Sequence, residues 1–210
     1  MLASARAILS ALMSGSQIER EYCDWDRRMR GSSLNYDLYG ADPERGLYIW
    51  QARQAFRARA SHFMATHKTY GLAGRNEDGS PFWHPISSAI VRAAIRKAPD
   101  DMAAPVRAAE AWIFHIAPAK LPAIIRHGDV ALIPARGVKA EPRAETCATL
   151  AETHVLEADT ILERDGRTFA VNPRLSHTRG QHADVSARGL YEVVIGRTAR
   201  AWDFSPRSAD

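Results

Sequence analysis

Apolar positions in the first half of the chain recur at helical spacing. Residues 2–13 are apolar enough for a short helix that stops at Ser14-Gly15. Ser16 to Glu19 forms a capping box, and Ile18, Tyr22, Trp25 and Met29 follow at helical offsets up to the stop signal Gly31. This predicts an amphipathic helix over 17–30. After a polar loop at 31–41, Asp42 and Pro43 carry the marks of an N-cap and a first helical position. Ile49, Ala52, Phe56, Ala60, Phe63 and His67 then share one face, which predicts a long helix reaching about residue 67. Residues 69–84 read as a hairpin turning through Arg75 to Gly79. A helix opens at Pro85 with Ile86, Ile90 and Ala94 inward. Another, capped by Asp100-Asp101, carries Met102, Val106, Ala109, Ile113 and Ile116, with Pro105 tolerated in its first turn. Pro118 to His127 is a short helix or turn.

From Asp129 the period changes from 3.6 to 2. Val130 to Ile133 reads as a buried strand, and Cys147 to Leu156 as one alternating strand. Thr160–Arg164 and Arg167–Val171 are joined by Asp165-Gly166, the best local hairpin signal in the chain. His182–Ser186, Leu190–Ile195 and Ala201–Phe204 supply further strands. The fold class expected is α+β: a mainly helical domain over 1–120 with one β-hairpin, then an antiparallel β-sandwich or small barrel over 121–210.

Composition narrows the compartment. The chain has 210 residues and a net charge of +4. Cys23 and Cys147 are its only cysteines and lack metal-type spacing, which points to a reducing cytosol. Arg6 interrupts the apolar stretch 2–13, against a secretory signal, and no segment has the roughly 18 apolar residues of a membrane span. A cytoplasmic protein without membrane partners is expected. The charge is uneven: residues 1–120 hold 16 Lys and Arg against 12 Asp and Glu, whereas 121–210 hold 12 of each. On the helix expected over 43–67, Trp50, Arg53, Arg57, Ser61 and Lys68 form a row beside the core face. An aromatic beside aligned cations is a candidate nucleic-acid surface; a solvated basic face is the plainer alternative.

Gly128-Asp129-Val130 opens the β part, a histidine stands in its middle at Thr153-His154, a second histidine segment spans Ser176 to His182, and Gly189-Leu190-Tyr191-Glu192-Val193 closes it. In these features the last 85 or so residues resemble short phage-associated and bacterial proteins of unknown function, which carry a GDV strand and two histidine segments. The chain departs from that pattern in having one histidine at Thr153-His154 and a longer spacing from His177 to His182. The resemblance implies an architecture and a phage or mobile-element setting more than an activity.

Candidate chemistry centres on those histidines. His154, His177 and His182 are the proposed ligands of a divalent metal, zinc or similar, with Glu152 or Asp184 as a carboxylate ligand or base. Residues five apart on a straight strand face opposite ways, so His177 and His182 converge only if Thr178 to Gln181 turns, which Gly180 permits. The plainer reading is polar strand ends with ordinary hydrogen bonds. Metal-free alternatives are His177 or His182 acting beside Arg179, and a Cys147–His154 pair set on opposite faces of one strand. His62 and His67 are too far around one helix to act together, and His84, His115 and His127 sit near element ends, where structural roles are usual. No Walker, Rossmann, G-x-S-x-G or H-E-x-x-H motif occurs, and no catalytic residue is identified. Three functions remain: a nucleic-acid-binding accessory protein, a small metal-dependent hydrolase or nuclease, and a protein–protein adaptor using exposed Trp and Tyr.

Overall fold

The computed structural model describes residues 2–13, 30–57, 64–76, 79, 81–139, 141–180 and 183–197. The helix expected over 17–30 falls outside these residues except at Arg30, as do the last expected strand, His62 and His182. The chain is α+β and divides into two compact units, one built from 1–75, 80–109 and 199–210, the other from 76–79 and 110–198. Among the described residues no helix is long and apolar enough to cross a membrane.

The first unit corrects the helical reading. After α1 (Leu2–Met13) come four strands, β1 (Arg30–Asp42), β2 (Leu47–Arg57), β3 (Met64–Arg75) and β4 (Pro81–Ile86), paired antiparallel in sequence order. The expected loop at 31–41 therefore lies in β1, and within the expected helix at 43–67 a turn at 43–46, β2 and the start of β3 are found, with 58–63 outside the described residues. Asp42 and Pro43 do not start a helix. They start a four-residue connection in which Arg45 N–H donates to Asp42 Oδ1 at 3.3 Å and Gly46 N–H donates to Pro43 O at 3.3 Å. Gly46 then takes a φ of 64°, which a glycine reaches without strain and which turns the chain back.

Burial explains why β2 shows no strand period. Every residue from Leu47 to Ala52 is buried, so both of its faces are covered. On one face Tyr48, Trp50 and Ala73 share a core with Ala5 and Ile8 of α1. On the other lie Ile49 and Gln51, whose register partners on β3 are Leu72 and Tyr70. The Gln51 amide donates to the Tyr70 hydroxyl, and the Tyr39 ring meets Tyr70 edge-on at 5.2 Å. Burial, followed by the neighbouring Tyr70, pushes the Tyr39 hydroxyl's pKa up.

The hairpin at 69–84 is present, with Arg75 opposite Pro81. Pro85 and Ile86 remain in β4, and α2 runs only from Ser88 to Lys97. The next helix, α3 (Ala104–Ile113), starts where expected: Asp101 Oδ1 accepts from Ala103 N–H at 3.0 Å, and Pro105 stands in the first turn. The Arg107 guanidinium paired with Asp101 holds that carboxyl below its ordinary range.

The second unit is antiparallel β, as expected of this part of the chain. After a 3-10 turn at Pro118–Ala123, β5 (Ile125–His127), β6 (Val130–Pro134), β7 (Glu141–Pro142), β10 (Thr160–Arg164), β11 (Arg167–Val171) and β14 (Leu190–Ile195) form one sheet in the order β5-β6-β14-β11-β10-β7. A second sheet orders β13 (Val185–Ser186), β12 (Arg174–His177), β9 (His154–Glu157) and β8 (Cys147–Leu150). Among the described residues neither sheet closes into a barrel. Val130, Leu132, Ile161, Ala170 and Val193 of the first sheet and Leu156 and Leu175 of the second make one buried cluster. Asp165-Gly166 is the hairpin turn expected, with φ of 50° and 70°. The single strand expected over 147–156 is instead two. Ala151 and Glu152 adopt φ of 45° and 64°, and the chain reverses so that Leu150 faces His154.

Candidate functional site

That reversal sets the position of His154. It places the residue at the start of β9, directly opposite His177 at the end of β12. Opposed residues of an antiparallel pair share a face, so the two rings meet, with centroids 4.9 Å apart and planes at 89°. His127 joins them from the end of β5, its ring 5.2 Å from that of His154 at 80°. The cluster therefore draws on both sheets. Its members are buried, with exposures of 0% for His127, 2% for His154 and 9% for His177.

The polar contacts constrain the tautomers. His177 Nδ1 accepts the Arg179 backbone N–H at 3.1 Å, so a neutral His177 carries its proton on Nε2. Thr153 Oγ1 lies 3.3 Å from both Ala151 O and His154 Nδ1. A hydroxyl has one proton; given to the carbonyl, it leaves Oγ1 to accept from His154 Nδ1–H, and the His154 lone pair is then on Nε2. The His177 tautomer is the opposite of what ligation through Nε2 requires, since a ligating nitrogen must offer its lone pair. Among the described residues, no group of three or more His, Cys, Asp or Glu side chains is arranged to hold a metal ion.

Of the residues singled out for a metal, His154 and His177 are brought together and His182 lies outside the described residues. The bend required between the last two exists as far as Gly180, whose N–H donates to His177 O at 3.0 Å with a φ of 64°. Glu152 is exposed, and exposed Asp184 pairs with Arg174 at 2.7 Å. Cys147 is exposed and opposite Glu157, away from His154. His127 was missed. Gly128-Asp129 is a two-residue hairpin turn that sets His127 opposite Val130, and a Gly-Asp pair before an apolar strand was the signal available for it.

The row of Trp50, Arg53, Arg57 and Lys68 depended on helical spacing and is rearranged by the strand. Residues three apart on a strand point to opposite faces. Trp50, 4% exposed, points into the α1 side of the sheet. Arg53 is exposed on the other face, where its direct partners are Asn35 on β1 and Lys68 on β3, both exposed. Arg57 stands in register with Arg30 and Met64; its side chain is outside the described part. Arg53 and Lys68 are thus brought together, and Trp50 is separated from them. No known family model, curated protein or solved structure matches this chain.

Proposed function

We propose that the chain is a cytoplasmic, non-enzymatic binding or accessory protein of phage or mobile-element type, with nucleic acid as its partner class. The observation that carries this reading is the exposed Arg53–Lys68 cross-strand pair. Like charges directly opposite one another on a sheet are destabilising unless an anion comes between them. Asn35 completes the row as a neutral hydrogen-bonding group, and Asp37, two residue pairs along, is the acidic neighbour on that face. The basic excess of residues 1–120 supports the same partner class. Phosphate contacts of this kind position a protein without reading sequence. A gel shift with mixed-sequence DNA or RNA at low salt tests the proposal. Arg53→Ala with Lys68→Ala should weaken binding and lower the slope of log affinity against log salt by about one for each phosphate contact removed. Absence of any shift at low salt overturns it.

A small metal-dependent hydrolase or nuclease using His154, His177 and His182 is the second reading, favoured by the meeting of His154 and His177. The accessory-protein reading expects purified protein to contain no stoichiometric metal and its unfolding to be unchanged by EDTA. A ratio near one metal per chain, with stability lost in chelator, would replace it by the enzyme.

A further inference from the structure

The outer face of the six-stranded sheet, opposite its core, carries a second concentration of cations. Ile133, Glu192, Phe169 and Leu162 form one cross-strand row there, because each is the register partner of the next. Over Ile133, Glu192 and Phe169 of this row opens a cleft of about 410 Å³, bounded by Lys120 of the 3-10 turn, Arg136 after β6, and Arg164 and Arg167 at the β10–β11 turn. Arg167 is held in place. Its Nε donates to Glu192 Oε1 at 2.7 Å, a second nitrogen donates to Oε2, and the guanidinium lies 5.4 Å from the centroid of buried Phe169. Arg164 is directly opposite Arg167 and pairs with the adjacent Asp165 at 3.3 Å. Among the described residues neither Lys120 nor Arg136 has an ion-pair partner. Four cations against the carboxylates of Asp165 and Glu192 leave the cleft with two positive charges in excess.

We propose that this cleft binds a phosphate-bearing ligand. Its volume is in the range of small-ligand sites, but its walls are mainly charged, which selects an anion over an apolar molecule. A guanidinium fixed by a two-pronged carboxylate keeps further N–H donors directed outward, in the planar geometry that suits phosphate oxygens. The two unpaired cations match the charge of a diphosphate or of two successive backbone phosphates. The shared chemistry is a phosphate ester, and its source is either a free nucleotide or a nucleic-acid strand. This site is separate from the Arg53–Lys68 surface and does not depend on it.

Calorimetric titration of the full chain tests the assignment with inorganic pyrophosphate, ATP and a short oligonucleotide without terminal phosphates. Lys120→Ala with Arg136→Ala, both at exposed positions, should weaken the tightest of these about tenfold or more, the scale of a lost charge-assisted contact. Arg53→Ala with Lys68→Ala should leave pyrophosphate and ATP binding unchanged. Preference for pyrophosphate and ATP identifies a nucleotide site; preference for the oligonucleotide identifies a backbone site. No binding of any of the three at millimolar concentration, or equal binding by the Lys120/Arg136 variant, overturns the cleft. Absence of any gel shift by the parent protein at low salt, with pyrophosphate or ATP still bound in the cleft, overturns only the Arg53–Lys68 surface.

Discussion

Replacing Trp50 with alanine is expected to destabilise the first unit by about 3–5 kcal/mol, the usual cost of deleting a large buried aromatic. Trp50 lies in the interior of β2, between Leu38 and Gly71 in register, and packs in the cluster of Tyr48, Ala73, Ala5 and Ile8. The Trp83 indole already fills the space over Gly71, where a Cβ would overlap it. The Trp50 indole Nε1 is itself buried without a hydrogen-bond partner among the described residues, which offsets part of the gain from burial. Trp50→Phe removes that group and retains most of the apolar surface, so it should cost about 1 kcal/mol or less. Arg53→Ala, at an exposed position on the opposite face, should fall within about 0.5 kcal/mol of the parent. A helical segment would give another pattern, with Trp50 and Arg53 as neighbours on one row and neither essential to folding. Hydrogen exchange of peptides from β2 and β3 in rising urea measures the three variants. A loss below about 1 kcal/mol for Trp50→Ala would contradict the buried strand.

The difference between the expected helix and the strands found at 47–57 and 64–67 has a physical origin in the residues themselves. Asp-Pro serves equally as a helix start and as the first half of a turn. Gly46, three residues later, favours the turn, because a glycine inside the first helical turns is costly while a φ of 64° suits it. Leu47 to Ala52 is buried on both faces and so lacks the period-2 signature. With several alanines in the segment, positions 49, 52, 56, 60 and 63 meet helical spacing by coincidence. The signals that held were those with a narrow structural meaning. Asp165-Gly166 demands positive φ at both positions and made its hairpin. Asp101 as a cap and Pro105 in the first turn, followed by a long apolar period, began α3.

The histidine cluster was legible in part for a similar reason. His154 and His177 stand out because imidazoles are rare in short β-strands, but their meeting depends on a turn that the sequence does not announce. Ala151 and Glu152 take left-handed conformations with neither glycine nor asparagine present. Alternation through that point places Leu150 and His154 on one strand, four residues apart, when they are opposed across two. His127 was passed over because its role comes from non-local pairing, β5 lying at the edge of one sheet and its ring touching a residue of the other.

The cluster's own contribution is measurable. His154→Ala is expected to destabilise the second unit by about 2–4 kcal/mol, since it removes a buried ring that touches both His127 and His177. It also takes from Thr153 Oγ1 the His154 Nδ1 contact. Water entering a polar cavity of this kind returns some hydrogen bonding, which places the cost below that of an apolar cavity of equal size. His154→Phe keeps the ring and loses only the polar contact, at about 1 kcal/mol. The gap between the two variants therefore reports ring packing, and hydrogen exchange of peptides spanning β9 to β12 resolves it from events in the first unit. The same gap is expected in EDTA, because the rings are held by the two sheets and by the Arg179 N–H on His177. If EDTA alone lowers the parent's stability to that of His154→Ala, the cluster is held by a metal instead, as the second reading requires.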